Sequence, residues 1–465
     1  MKKTILYQIG RLDRNVFDEC RFVIEDEQFD TSLTSFAIRD FIKREGKTPL
    51  LVLIYPVSLR LNTSLLKNQK SFPPEFMKEI ETTLNDPEEY LKNPKALFHH
   101  HPHTQEADDF FVIHSLGTYS THQSSISFDC HYQDILLEIL LDMIDRYLPL
   151  LDVDTSEPLE FIIDISSGHN IYLSALLEAA RQFGVWLQLA GWHNKETIPE
   201  IKIAFSDPIL PGQDVLHTIH FDELKVRSLF SSPITNNDVS NFALSRKVFP
   251  DESERREKNR LQEFLERFLV IFSAIKNNTP LAIYQFGFDE GDTILSILKD
   301  FIILIKRRLF SSYLKSPALD KDAYLKILLT LGFYYGICRI LKENGVKNHR
   351  DRGSEINSIK DFYNIYEAFG LNLNEVVLGN EINQISEALN RFHDKNSGQW
   401  QWHDLFTLLN PTKNPSDMKP HERNFFAHAG LEQNATQFRI EDKTLFLKYK
   451  DKYNKALKNW LKKST

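Results

Sequence analysis

Apolar residues in the first half of the chain fall into short, nearly continuous runs separated by stretches with helical spacing. Continuous apolar runs are typical of strands that helices cover on both faces. The predicted strands are TILYQIG (4–10), LLVLIYPV (50–57), FFVIHS (110–115), FIIDIS (161–166), VWLQLAG (185–191) and IKIAFS (201–206). Stretches between them, such as SLTSFAIRDFIKREG and HNIYLSALLEAARQFG, have apolar residues three or four apart and end at a glycine. This alternation predicts a Rossmann-like α/β domain with a mainly parallel sheet over residues 1–210.

Residues 58–108 interrupt this alternation with an insertion rich in proline, asparagine and histidine. The insertion contains the run HHHPH, which comprises His99, His100, His101 and His103. Imidazole nitrogens bind zinc and related metals, so this run is a candidate metal site. Exposed runs of this kind more often bind no metal, and we expect none here.

The second half of the chain changes character after SDPILPG (206–212), where two prolines and a glycine mark a linker near residues 206–218. From about Leu216 onward the patterns are long and helical. The main strand signal that remains is TQFRIEDKTLFLKY (436–449), which predicts one small hairpin turning at Glu441 to Lys443. We therefore predict an all-helical second domain over residues 211–465.

The composition is that of a globular protein with two or three domains. The chain has 465 residues, of which 26% are charged and 42% are hydrophobic, and this argues against wholesale disorder. No apolar run approaches the roughly 20 residues of a membrane-spanning helix. Gly10 and Arg11 cut the first apolar run too short for a secretory signal. We expect a cytoplasmic protein with no membrane partner.

Charge and cysteine content weigh against further classes of function. The net charge of -8 argues against binding of nucleic acid over the whole surface, but it permits a local basic cleft. Cys20, Cys130 and Cys338 lie far apart and have no CxxC spacing. Neither a disulfide framework nor a thiolate metal site is therefore indicated.

A polar turn follows the fourth predicted strand, at the edge where open α/β sheets bind ligands. Glycine permits close approach of backbone, hydroxyl and amide side chains offer hydrogen bonds, and a helix N-terminus attracts anions. The residues predicted to line a ligand site at this edge are Gly10, Arg11, Ser115, Ser166, Ser167, Gly168, His169 and Asn170. They are compatible with a phosphate-containing or nucleotide ligand, but taken alone this composition is more typical of an ordinary capped strand-to-helix turn. The absence of GxGxxG and GxxxxGK[ST] argues against a dinucleotide cofactor and against an NTPase.

In the second domain, HERNFFAHAGLE (421–432) places cationic side chains within a stretch otherwise suited to burial. A helix starting near Glu422 or Arg423 puts Asn424 and His428 on one face, and Arg423 can reach the same side. Histidine exchanges protons near neutral pH, and arginine binds phosphate and stabilises added negative charge. The group fits metal-independent RNA cleavage, in which the 2'-hydroxyl attacks the adjacent phosphate. A capping arginine and a satisfied helix histidine are the structural alternative.

The two motifs, in this order, resemble those of the CRISPR-associated ancillary ribonucleases of type III systems, which join a CARF sensor to a HEPN nuclease. RNFFAH fits the HEPN pattern of Arg, a polar residue, three further residues and His. DISSGHN is similar to the Asp-x-Thr/Ser-x-Gly-x-Asn element of CARF domains, with Ser-Ser where family members commonly have Thr-His. The insertion 58–108 has no counterpart in the resemblance.

The resemblance implies a homodimer, or a higher oligomer, whose sensor domains bind cyclic oligoadenylate, with cyclic tetra-adenylate as the first expectation. Binding would activate cleavage of single-stranded RNA by the paired helical domains without a metal, leaving a cyclic phosphate. Carried onto this sequence, Arg423 and His428 are the catalytic pair and Asn424 supports them. The predicted residues of the polar turn would line the ligand pocket.

Two other functions remain open on the sequence alone. A nucleotide-sensing transcriptional regulator would share the sheet domain, but it needs a compact helix-turn-helix, whereas the second half has long core-type helices. A non-catalytic helical scaffold would use Arg423 and His428 only for capping and packing. In that case, alanine at either position would cost several kcal/mol of stability.

Overall fold

The structure is a computed structural model that describes residues 3–12, 18–68, 72–121, 125–151, 159–208, 215–249, 254–315, 319–347, 352–392, 401–412, 419–442 and 444–465. The chain forms two compact units. The first comprises Met1–Ser228 and Lys299–Lys321, and the second comprises Leu229–Leu298 and Asp322–Thr465.

The first unit is built on an eight-stranded, mainly parallel sheet. Its strands are β1 (Lys3–Ile9), β2 (Cys20–Ile24), β3 (Glu27–Thr31), β4 (Thr48–Pro56), β5 (Asp109–Ile113), β8 (Glu160–Asp164), β9 (Glu200–Ser206) and β10 (His217–Glu223). The spatial order is β3-β2-β10-β9-β8-β1-β4-β5. The run β9-β8-β1-β4-β5 is parallel throughout, whereas β10 pairs antiparallel with β9, and β3 pairs antiparallel with β2. Strands β6 (Gly117–Ser120) and β7 (Ser125–Phe128) form a separate hairpin.

Helices cover both faces of this sheet, which explains why its central strands are continuously apolar. On one face, Leu6 belongs to a core cluster with Phe36 of α1 (Thr34–Arg44). On the other face, the hydroxyl of the next residue, Tyr7, donates a 2.9 Å hydrogen bond to Asp142 of α6 (Tyr132–Tyr147). The remaining helices that lie wholly in this unit are α2 (Pro74–Asn85), α3 (Pro87–Lys92), α4 (Pro94–Phe98), α5 (Pro102–Glu106) and α7 (Asn170–Ala190).

The structure corrects two details of the predicted first domain. The predicted strand 185–191 is wrong, because α7 continues through Gly184 to Ala190. Gly184 does not end the helix; a side chain there would crowd Val226, so the glycine permits close packing. The first unit also extends past residue 210 to residue 228, because β10 pairs with β9. The middle of the predicted linker, residues 209–214, lies outside the described residues.

The second unit is largely helical, as predicted. Its helices include α8 (Asn236–Leu244), α9 (Arg255–Lys276), α10 (Pro280–Phe286), α12 (Lys321–Glu343), α13 (Ile356–Lys360), α14 (Tyr363–Ala368), α15 (Leu373–Phe392), α16 (Leu405–Leu409), α17 (Glu422–Ala427) and α18 (Asn454–Lys463). Helix α11 (Gly291–Leu309) begins in this unit, and its residues from 299 onward belong to the first. Helix α12 is long and apolar enough to span a membrane, and 78% of its most apolar stretch is buried within the structure.

The hairpin predicted near the end of the chain is present as β13 (Thr436–Glu441) and β14 (Thr444–Tyr449). Residue 443 of the predicted turn lies outside the described residues. Two short strands, β11 (Ser354–Glu355) and β12 (His403–Asp404), flank the hairpin and complete a four-stranded sheet. Two-residue strands carry too little alternation to be recognised from sequence.

Candidate sensor and nuclease sites

The candidate sensor site lies where the strand order of the first unit reverses. After β1 the chain forms strands β2 and β3 at one edge of the sheet. It then places β4 and β5 on one side of β1, and later β8 on the other side. Ligands of open α/β sheets bind in the crevice at such a point, outside the carboxyl ends of the strands. Gly10 and Arg11 follow β1 there, and the polar turn 166–170 follows β8.

Local packing fixes the shape of the polar turn. Gly168 has a φ of +125°, and a Cβ on it would lie 2.9 Å from the Cβ of Ile9, so only glycine fits. The Ser167 hydroxyl accepts a 2.9 Å hydrogen bond from Gln8, which ties the turn to β1. Gly10 is required for a different reason, since a side chain there would overlap the ring of Tyr55.

A cavity of about 580 Å³ opens at this point. Five of the residues predicted to bind the ligand line it: Gly10, Arg11, Ser167, Gly168 and His169. The structure does not bring the other three to its lining. Ser115 is buried, and its hydroxyl accepts a 2.9 Å hydrogen bond from the Ser58 amide. The Ser166 hydroxyl accepts from the Ser206 amide at 3.0 Å, and Asn170 is the exposed first residue of α7.

A buried aspartate beneath the turn was not among the predicted site residues. Asp164, at the end of β8, accepts hydrogen bonds from the Thr34 hydroxyl and from the Ser166 amide. Burial raises its pKa to about 6, against the effect of these hydrogen bonds. Thr34 also accepts from Gln8, which in turn donates to Ser167 at the cavity. The carboxyl group thus supports the turn from below.

The nuclease candidate HERNFFAHAGLE folds as a short helix followed by a tight turn. Helix α17 ends at Ala427, because His428 leaves helical geometry with φ -106° and ψ 36°. Ala429 and Gly430 then adopt positive φ angles of 50° and 75°. Phe425 is fully buried and contacts Tyr449 and Trp460, so it anchors the helix in the core of the second unit.

This anchoring exposes the polar residues of α17. Asn424 and His428 both line a cavity of about 630 Å³, and the His428 amide donates a 3.0 Å hydrogen bond to the Asn424 carbonyl. The predicted convergence of these two residues is therefore present, although His428 lies just beyond the helix. Arg423 is exposed and is not among the residues that line this cavity. Its predicted swing toward the same side is not seen within one chain.

Two family models match the chain. The CARF domain of the CRISPR system endoribonuclease Csx1 matches residues 4–208, and the HEPN domain of Csx1 matches residues 371–451. The chain belongs to the Csx1 family. The predicted membership of a CRISPR-associated CARF–HEPN ribonuclease family is confirmed, and so is the Rossmann-like domain followed by a helical one. No curated protein gives a significant match to the chain.

As a Csx1-family protein, the chain is a CRISPR-associated endoribonuclease, and both candidate sites lie within the matched regions. The CARF match contains the whole lining of the sensor cavity, and the HEPN match contains the whole lining of the nuclease cavity. The shorter HEPN match begins near α15, a helix that also lines this cavity.

Helix α15 supplies a further functional candidate for this Csx1-family nuclease. Glu381 lines the cavity, and its Oε1 lies 3.2 Å from Nδ1 of His428. This contact fixes one ring nitrogen of the histidine and leaves Nε2 for chemistry. The helical pattern around EINQISEALNRFH predicted the helix, but a single sequence contains no signal that pairs an acid with a histidine 47 positions away.

The histidine run of the insertion is not arranged as a metal site. His101 and His103 are buried, and the Nε2 atom of His101 donates a 3.0 Å hydrogen bond to the Arg11 carbonyl. His99 and His100 are exposed, and His100 pairs with Glu79 at 2.5 Å. Among the described residues, no group of three or more His, Cys, Asp or Glu side chains is placed to hold a metal ion.

Proposed function

We propose that this endoribonuclease cleaves single-stranded RNA without a metal when cyclic oligoadenylate occupies the sensor cavity. The observation that carries the proposal is the pairing of Asn424 and His428 on one cavity inside the HEPN-matched region. A nucleotide ligand for the first unit is supported by the cavity at the strand-order reversal. Of the ring sizes, cyclic tetra-adenylate is our first choice, as the family resemblance implies.

In the proposed reaction, the 2'-oxygen of one nucleotide attacks the adjacent phosphorus, and the bond to the 5'-oxygen of the next nucleotide breaks. His428 takes the proton from the 2'-hydroxyl or returns one to the 5'-oxygen. Glu381 holds Nδ1 of His428, so that Nε2 handles this proton and the carboxylate favours the imidazolium that forms. The products are a 2',3'-cyclic phosphate and a 5'-hydroxyl.

A second copy of the chain completes the proposed site. One histidine cannot act as base and acid at the same moment, and Arg423 is exposed outside the cavity of its own chain. Two copies related by a two-fold axis would bring two histidines and two arginines to one phosphate. Arg423 would then bind the phosphate and stabilise the charge added in the transition state.

The test uses three single substitutions on α17 and at its ends. His428→Ala and Arg423→Ala should each lower the rate of RNA cleavage by about 100-fold or more, because each removes a group that acts on the phosphate. His421→Ala, which changes an exposed histidine just before the helix, is the control and should cleave normally.

Thermal melts and activator binding of all three variants should match the parent protein. A fully active His428→Ala protein contradicts the proposal. A loss of several kcal/mol of stability in both variants, with normal cleavage per folded molecule, supports a scaffold instead.

A further inference from the structure

We propose that the insertion 58–108 forms one wall of the activator cavity, and that Asn62 and Thr63 on this wall determine which cyclic nucleotide is bound. This inference rests on the proposed function of the cavity and assigns a role to a segment that the family resemblance does not explain. The wall residues are Ser58, Leu59, Leu61, Asn62 and Thr63, all of which line the 580 Å³ cavity.

Hydrogen bonds hold the start of the insertion in place against the sheet domain. The Ser58 amide donates to the Ser115 hydroxyl at 2.9 Å, which explains why Ser115 faces the insertion rather than the ligand. The Tyr90 hydroxyl donates to the Val57 carbonyl at 2.7 Å. Both contacts are buried, so the wall has a defined position before any ligand binds.

A buried arginine makes the wall rigid. Arg60 has no exposed surface, although it lies between Leu59 and Leu61, which line the cavity. Its guanidinium donates to the Leu97 carbonyl, pairs with Glu79 at 3.4 Å and lies 4.8 Å from the ring centre of Phe76. Separating the buried guanidinium from these three partners costs free energy, because it would leave a buried charge unpaired. The segment around Arg60 therefore does not move independently of the rest of the insertion.

The same insertion also holds the opposite rim of the cavity through the histidine run. Nε2 of His101 donates to the Arg11 carbonyl, while its Nδ1 accepts from the His103 amide at 3.2 Å. One ring nitrogen donates and the other accepts, so these two hydrogen bonds require a neutral imidazole. Burial lowers the pKa of His101 well below its usual value, which also favours the neutral ring. The histidines therefore position the segment that carries Arg11, a cavity residue.

The polar groups on the wall suit a nucleotide. Oδ1 of Asn62 accepts from the Ser64 amide at 3.0 Å and from its hydroxyl at 2.6 Å, so the side-chain amide keeps its two N–H donors for another partner. Adenine nitrogens and phosphate oxygens are acceptors for such donors. Because the wall is separate from the turn 166–170, a substitution on the wall leaves Ser167, Gly168 and His169 in place at the same cavity.

The experiment compares variants of the full chain by calorimetric binding of cyclic tri-, tetra-, penta- and hexa-adenylate. Asn62→Asp keeps the acceptor oxygen for Ser64 but replaces the donors with a negative charge, and it should bind the preferred ring about ten-fold more weakly or worse. Asn93→Asp adds the same charge at an exposed site of the insertion outside the cavity lining and should bind normally. Thr63→Val removes one hydroxyl at constant volume and should change the ratio of affinities among the rings.

RNA cleavage at saturating activator should be unchanged in Asn93→Asp, because this position lines neither cavity. The inference is overturned if Asn62→Asp and Thr63→Val bind every ring with the affinities of the parent protein. If the parent itself binds none of the rings, the proposed activator fails, and this inference fails with it. The two failures are distinguished by the parent protein alone.

Discussion

The contact between Glu381 and His428 separates the proposed chemistry from a packing role at the scale of single residues. Glu381→Gln keeps a hydrogen-bonding side chain of the same size, but it replaces the carboxylate beside Nδ1 of His428 with a neutral amide. We expect kcat to fall by about ten-fold or more while KM changes little, because the substitution acts on the reaction rather than on RNA binding.

Glu387→Gln is the matched control, since Glu387 lines the same cavity and pairs with Arg391 at 3.9 Å rather than with the histidine. Activated RNA cleavage under steady-state conditions measures both variants. Equal kcat values for Glu381→Gln and Glu387→Gln would remove Glu381 from the mechanism.

Asp164 gives a prediction for pH dependence. Its pKa is raised to about 6 by burial, so the folded protein binds this proton more tightly than the unfolded chain does, and stability falls as pH rises through 6. Asp164→Asn removes this loss. The unfolding free energy of the variant relative to the parent should therefore rise between pH 5 and pH 8, by on the order of 1 kcal/mol.

Urea unfolding at several pH values makes this measurement, and Asp30→Asn, at an exposed aspartate on β3, controls for the loss of one carboxylate. A difference that stays constant or falls with pH would show that the burial of Asp164 does not govern its titration.

At the scale of elements, the turn that ends α17 depends on Gly430. Its φ is +75°, and a Cβ would lie 2.8 Å from the Cβ of Thr279. Gly430→Ala should therefore destabilise the protein by about 1–3 kcal/mol. Gly379→Ala is the control, because Gly379 lies inside α15 with open space around it, and alanine there should stabilise the helix by about 0.5–1 kcal/mol.

Chemical denaturation of the two variants provides the comparison. Similar effects of both substitutions would show that the turn is not constrained by its contact with Thr279.

Long strands and helices could be predicted from the sequence. Very short strands, and an apolar run that continues a longer helix, could not. Strands such as β1 and β4 are apolar throughout and bounded by polar turns, so their pattern alone identifies them. The run 185–191 fails because a buried helix end and a buried strand have the same composition, and only the continuation of α7 through Gly184 distinguishes them.

In the candidate sites, too, local spacing could be predicted from the sequence, whereas contacts between distant segments could not. The motif residues Asn424 and His428 are four positions apart, and the hydrogen bond from the His428 amide to the Asn424 carbonyl at the end of α17 keeps both at one cavity. Glu381 reaches that cavity only through tertiary packing, which periodicity does not contain. Ser115 and Ser166 follow strands of the sheet as predicted, but their hydroxyls accept hydrogen bonds from nearby backbone amides.

At the scale of the whole molecule, α15 offers a surface for the proposed second copy. Leu373, Val376 and Val377 are 84%, 62% and 44% exposed. Val377 lies one helical turn before Glu381, so this apolar surface continues the side of α15 that lines the nuclease cavity. Exposed apolar residues next to an incomplete site favour an interface between two chains.

Val376→Glu should therefore shift the proposed dimer toward monomer and lower activated cleavage in proportion, because charge at an apolar interface is costly. Light scattering during size-exclusion chromatography measures the shift. Ile303→Glu, at an exposed apolar residue of α11, is the control. An unchanged mass for Val376→Glu would place the dimer interface elsewhere.

We propose that one ligand in the sensor cavity activates metal-independent cleavage of RNA. The most direct measurement is cleavage of a fluorogenic single-stranded RNA by the purified protein in EDTA, first without activator and then with cyclic tri-, tetra-, penta- and hexa-adenylate in turn. We predict that one ring size, with cyclic tetra-adenylate as first choice, activates cleavage that His428→Ala abolishes. If the protein cleaves no RNA with or without any of the four rings, the nuclease assignment is wrong. If it cleaves RNA equally with and without them, the sensor cavity does not control the nuclease.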